Sequence, residues 1–356
     1  MNQSAVFHVK DYLSADCSHS DAIDACLKAA ATAPSRTIVF DGQDFWIDRA
    51  ILLPSHTKVI IDNCAICQKD EVFDNVFRGD NCEINPEDPW GAPLSFSTLE
   101  DICIEGVGQA KILGTGKPRI GFHPVLNEYQ FMTGDFWGWR THMFSISLCD
   151  GFELSGVSLS QTMCWAVTFD HCCNVNVHDV HIFSLVKNGD GIDFRPGCHH
   201  CTVKNITGYT SDDTVACTAV SPTRHRTYPQ KNYLYTSEPY SNIYPESDHS
   251  IHDIHISDIH TGGLHHGVIC LSAEGNKVHH ITVENIRDTS EGHQQATVKV
   301  YTGYGDNFCS GDIHHLTIRN VESNISKFAV MVDAQVEELV LENLIQNNSE
   351  GTPTNL

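Results

Sequence analysis

Two acidic clusters carry the residue types from which acid–base chemistry is made. One is Asn188-Gly189-Asp190-Gly191-Ile192-Asp193 and the other is Ser211-Asp212-Asp213-Thr214. Asp190 and Asp212 lie 22 residues apart, with Asp213 directly after. A chain that returned to the same edge at that interval would set Asp190 beside Asp212 or Asp213, at about the 5 Å spacing of neighbouring strands. Like charges so close oppose each other's ionisation, and at least one carboxyl then keeps its proton to a higher pH. A protonated carboxyl beside an ionised one suits glycosidic bond cleavage, one group donating a proton and the other activating water. A solvated turn ladder or a calcium site would use the same residues, and spacing alone leaves both open.

Elements that return at such an interval are written along the chain. A nine-residue template recurs: apolar, two polar, apolar, any, apolar, any, Asn/Asp/Gly, apolar. It reads CDGFELSGV from Cys149, CCNVNVHDV from Cys172, CHHCTVKNI from Cys198 and IHDIHISDI from Ile251. It continues as VHHITVENI from Val278, IHHLTIRNV from Ile313 and VEELVLENL from Val336, with LEDICIEGV from Leu99 and, more loosely, HTKVIIDNC from His56. The central apolar residues alternate, as in a strand with one buried face. The next-to-last slot holds turn formers: Gly156, Asp179, Asn205, Asp258, Asn285, Asn320 and Asn343. The shorter repeat intervals, 23 to 27 residues, are too short for a strand plus packed helix and suit one coil of a parallel β-solenoid. Ser20–Ala33 reads as an amphipathic helix, with Ser20 as N-cap, capping the solenoid's open end within about residues 18–34. No linker is evident, so residues 1–356 read as one domain.

Composition bounds the partners. Lys and Arg number 22 against 45 Asp and Glu, a net charge of −23 at pH 7. Nucleic acid and anionic membranes both demand a basic footprint, so neither is an expected partner. Met1–Lys10 lacks the apolar core of a signal peptide, and no apolar run approaches the roughly 18 residues of a membrane span. Fifteen cysteines, an odd number, point to reduced thiols and a cytoplasmic location. Cys64, Cys103, Cys149, Cys172, Cys198 and Cys201 are expected to face inward from apolar slots, which argues against a zinc site at Cys198-His199-His200-Cys201. His249, His252 and His255 read as solvated strand residues, and no metal or other cofactor is expected.

From Arg140 through Cys173 and onward, the chain resembles the family-28 glycoside hydrolases, the polygalacturonases. Asn188-Gly189-Asp190 matches their Asn-Thr-Asp motif, Asp212-Asp213 their Asp pair, and His266-Gly267 the end of their Gly-His-Gly. Thr297-Val298-Lys299-Val300-Tyr301-Thr302 falls in register with their Arg-Ile-Lys segment. The resemblance spans about residues 100–345. It implies an all-β, right-handed, single-stranded parallel β-helix of the pectin-lyase-like kind, and an inverting hydrolase. Asp212 would be the general acid, with Asp190 and Asp213 activating water. His266 would tune the acid, and Lys299 would contact the sugar with Tyr301, Asn188 and Asp193 nearby. The departures are Gly189 for Thr, Lys299 for Arg and Tyr301 for Lys. One Lys cannot grip a carboxylate bidentately as Arg does, so the activity class is better supported than a uronate substrate.

Two loops are expected to shape the pocket. Phe122–His142 carries Tyr129, Phe131, Phe136, Trp137 and Trp139, flat faces of the kind that pack on sugar rings or on the coil beneath. The insertion 221–250 carries Arg224, His225, Arg226 and Lys231, which could supply anion contacts and close one end of a cleft for exo action. A polysaccharide lyase or epimerase on the same scaffold, and a non-catalytic carbohydrate-binding β-helix, are the competing readings.

Overall fold

Full template copies become successive strands of one long parallel sheet. The computed structural model describes residues 5–87, 92–116, 121–123, 128–130, 139–220, 238–289, 295–304 and 307–356, with backbone alone for 121–123 and 128–130. Cys149–Ser155, Cys173–Phe183, His199–Thr210, Ile251–Gly263, Val278–Asp288, Ile313–Ser323 and Val336–Gln346 pair in that order. A second parallel sheet, ten-stranded among the described residues, runs alongside from Ile51–Leu53 to Thr352–Thr354. The whole is a right-handed parallel β-helix.

Register explains the core. Val177, Val203, Ile256, Val283 and Ile318 occupy one position on five consecutive strands, each at most 1% exposed. Burying such a side chain stabilises by roughly 1.5–3 kcal/mol, and stacking repeats that gain coil after coil. The turn slot is equally regular. Asp179, Asn205, Asp258, Asn285, Asn320 and Asn343 all adopt φ between 50° and 57°, a left-handed conformation that Asn and Asp tolerate best. Their side chains bond along the axis: Asn285 Nδ2 donates to Asp258 at 3.0 Å, Asn320 to Asn285 at 3.0 Å and Asn343 to Asn320 at 2.8 Å.

The N-terminal helix spans His19–Ala30 and buries Ala22, Ile23, Cys26 and Ala30 against the first coils. Its N-cap is Ser18, whose hydroxyl accepts from the Asp21 amide at 3.1 Å. Ser20, expected as the cap, is buried inside the first turn and accepts from the Asp48 amide at 2.9 Å. Two serines at one helix start are hard to separate by pattern. Among the described residues no helix is long and apolar enough to cross a membrane.

All fifteen cysteines are unpaired thiols. Cys64, Cys149, Cys172, Cys198 and Cys201 are buried, and Cys201 pairs in register with Ile254. Cys103 corrects the expectation: it sits between the buried Ile102 and Ile104, so strand alternation turns it outward, in register with Lys58 and Glu153. Thiol titration of the denatured, unreduced protein is expected to count fifteen groups; a count lowered by pairs would reveal disulfides. The histidine expectation also needs correction. His249 is buried, and His252 stacks between His199 and His279 on neighbouring strands. Only His255 is exposed as expected, meeting Glu284 at 2.8 Å.

Candidate active site

The turn leading into the second sheet repeats on every coil, and the chemistry gathers there. Backbone bonds Met143 N to Trp165 O, Ala166 N to Asp190 O, Gly191 N to Asp213 O and Thr214 N to His266 O fix the register. His142, Trp165, Asp190, Asp213 and His266 therefore form one column along the helix axis. Asp212 stands one residue before it. Asp190, Asp212 and Asp213 each bring a carboxylate oxygen within 4.8 Å of the others.

Local packing holds this turn closed. Thr210 Oγ1 donates to Asp212 O at 2.8 Å, Asp212 Oδ1 accepts from the Asp213 amide at 3.1 Å, and Ser211 Oγ donates to Val186 O. Gly189 is confined by the same contacts. A Cβ there would lie 2.3 Å from Ser184 Oγ, 2.4 Å from Ser211 Oγ and 2.6 Å from Val186 O. The threonine of the resembling motif would not fit, which gives that departure a steric cause.

Burial and charge set the protonation of the cluster. Asp190 is pushed well above the usual carboxylate range, first by burial and then by Asp212, Asp193 and Asp213. Asp193 is raised by burial, against the pull of Arg195. Neither Asp193 oxygen has a hydrogen-bond partner among the described residues, and Asp190 Oδ1 has none either. Asp212 is raised to about 6 by burial and by Asp213, while His265 and His266 pull it down. Its side chain is 20% exposed, so solvent and ligands reach it. His266 meets Asp213 Oδ1 through Nδ1 at 2.6 Å and through its amide at 3.2 Å. The cluster thus offers a reachable protonated carboxyl beside a carboxylate oriented by an imidazole. Its donors could also hold a divalent cation, since Asp213, His265 and His266 form a second close group.

The remaining expected residues divide. Asn188 sits on the turn at φ 51°, immediately before the glycine. Lys299 and Tyr301 lie on the outward face of Ala296–Thr302, Lys299 Nζ resting 3.1 Å from Gln295 Oε1 and 4.7 Å over the Tyr301 ring. Register runs Asp193, Ala216, Ile269, Lys299, which places the lysine three strands, about 14 Å, along the axis from Asp193. It shares the face with the carboxylates without joining their cluster. Trp139 is a correction: it is 1% exposed and wedged near the Arg78 guanidinium, so it packs on the coil beneath and offers no face to a sugar. Trp137, Arg224 and Arg226 lie outside the described residues, as do Phe131 and Phe136.

Four further residues belong to the site. Arg195, buried, pairs with the buried Glu238 from the inserted loop and lies 4.7 Å from the Trp165 ring centre. The loop is held again at Asp170, which accepts from the Tyr240 amide at 2.7 Å and the Ser241 hydroxyl at 2.6 Å. His142 is fully buried, stacked on Trp165 at 5.0 Å and held neutral, its pKa lowered by burial to about 3. His265, where the resembling motif has glycine, brings Nδ1 to 3.4 Å from Asp212 Oδ1. The paired histidines in the sequence were a signal for His265; nothing local signalled the Arg195–Glu238 pair.

Comparison with known proteins adds to the fold. No protein-family model matches the chain, and no curated protein matches it by sequence. Among solved structures it is similar to the family 28 exopolygalacturonase of Yersinia enterocolitica, with TM-score 0.56, 12% identity, and coverage of 98% of this chain and 67% of that one. The hyperthermoactive exopolygalacturonase of Thermotoga maritima gives TM-score 0.58 at 12% identity, covering 98% and 93%. A tailspike protein mutant of E. coli bacteriophage HK620, in complex with a hexasaccharide, gives 0.66 at 11% identity. This chain spans 58% of the tailspike's length.

Proposed function

We propose that this protein is an inverting glycoside hydrolase that trims short, uronate-containing oligosaccharides from one end. The observation that carries the reading is the meeting of Asp190, Asp212 and Asp213 on adjacent coils, with Asp212 protonated up to about pH 6. Asp212 is the general acid, reachable and poised near the working range. Asp213, oriented by His266, activates the water, and Asp190, kept protonated by burial and its acidic neighbours, helps hold it in place. Two of the similar structures are exopolygalacturonases and a third holds a hexasaccharide, which supports a carbohydrate substrate. Lys299, on the same outward face three strands along from Asp193, would meet a uronate beyond the cleaved bond through a single ammonium rather than a guanidinium fork.

Inversion rests on the motif resemblance. The nearest carboxylate oxygens lie within 4.8 Å, closer than the roughly 6.5–9.5 Å that usually accommodates a water between acid and base. Proton NMR of fresh digests of a galacturonate oligosaccharide series is expected to show terminal sugar released first, with inverted anomeric configuration. Retained configuration, or cleavage at internal bonds, would remove the inverting or exo part of the proposal. The oxygen-rich donor set favours a second reading, a cation-dependent lyase or epimerase. That reading requires loss of activity with a chelator, which the hydrolase reading does not.

A further inference from the structure

Far along the strand from the carboxylates, the start of each long strand carries two adjacent columns of side chains. The first runs through His199, His252, His279 and His314, with ring centroids 5.0, 4.9 and 4.6 Å apart and planes within 8° of parallel. The second holds His200, Asp253, His280 and His315, all at φ between 53° and 55°, exposed, and turned by that conformation toward the first column. Within three coils the two imidazoles face each other, Nδ1 to Nδ1, at 2.7 Å for His199–His200, 2.7 Å for His279–His280 and 2.8 Å for His314–His315.

Such a strip has the chemistry of a ligand set. Each close pair requires at least one lone pair on a ring nitrogen, so the two imidazoles cannot both be protonated at Nδ1. Donor atoms of His279, His280 and His314 lie within 4.8 Å of one another, and so do those of His200, His252 and Asp253. Nitrogens about 2.0–2.1 Å from a tetrahedral zinc sit somewhat closer than that, and ring rotation closes the difference. Imidazole with one carboxylate selects zinc, nickel or copper over magnesium or calcium.

We propose that this histidine strip is a binding site for divalent transition-metal ions, taking one zinc at His279, His280 and His314 and a second at His200, His252 and Asp253. The strip is separate from the carboxylate cluster: His199 opens the strand His199–Thr210, and Asp212 follows its far end.

The test is zinc titration of the untagged full chain by calorimetry, with cobalt substitution read by its d–d absorption. Two equivalents are expected for wild type. His279→Phe with His314→Phe keeps two flat rings in the stack and removes their nitrogens, so one equivalent should remain. His280→Asn, at an exposed left-handed position that Asn tolerates, should lose the same equivalent if the double variant fails to fold. Asp212→Asn should leave both. Wild type taking up no zinc at tens of micromolar metal would overturn the proposal. So would unchanged stoichiometry in the folded histidine variants, or loss of an equivalent in Asp212→Asn.

Discussion

Asp212→Asn is expected to lower kcat on the natural glycoside by about 10²–10⁴-fold while leaving the fold intact, because it removes the proton donor and little apolar contact. Asp190→Asn should also lower kcat, by disturbing the water that the buried Asp190 carboxyl holds. The two separate on an activated aryl glycoside: its leaving group needs less protonation, so Asp212→Asn recovers more than Asp190→Asn. Wild-type kcat should decline as pH rises through about 6, where Asp212 loses its proton, and this limb should vanish in Asp212→Asn. The same shift is a stability statement. A carboxyl whose folded pKa is raised to about 6 favours the native state below the unfolded value near 3.9 and loses that contribution as pH rises through about 6. The fall in denaturant midpoint across that window should be shallower in the Asn variant, where the raised Asp190 and Asp193 still contribute. If Asp212→Asn and Asp190→Asn both keep wild-type turnover on the true substrate, the chemistry lies elsewhere.

The second large effect is on folding. Arg195→Met should destabilise by about 3–5 kcal/mol, because it leaves Glu238 buried without its cation and removes the positive charge opposing the repulsion on Asp190 and Asp193. Adding Glu238→Met should recover much of the loss, since a buried pair replaced by apolar groups of similar size is often close to neutral. Urea denaturation of the two single variants and the double variant measures the coupling. Additive losses would mean that the pair does not act as a unit. The inserted loop hangs on this pair and on Asp170, so Arg195→Met should also raise KM if that loop bounds the substrate.

These two effects differ in how far the sequence foretold them. Asp190, Asp212 and Asp213 were legible because strand register turns one-coil spacing into adjacency, and the alternating template set that register. The Asx column was legible for the same reason. His266, 53 residues beyond Asp213, was legible only through the motif resemblance. Arg195 was not, because its partner lies 43 residues away on an insertion outside the repeat. The histidine strip was hidden differently: its residues stood in slots the template recorded only as polar, and their stacking exists only after the coils are superposed. Trp139 was misassigned because an aromatic residue in a loop reads alike whether it faces solvent or the coil beneath.

The most direct test of the central claim is the product formed from a defined galacturonate oligosaccharide by wild type and by an Asp190→Asn, Asp212→Asn double variant. Reducing ends and ultraviolet absorbance would be followed together. Hydrolysis by the carboxylate cluster predicts that wild type generates reducing ends without an unsaturated, absorbing product, and that the double variant generates neither. Absorbance growing with wild-type turnover, or reducing ends released equally by the double variant, would contradict it.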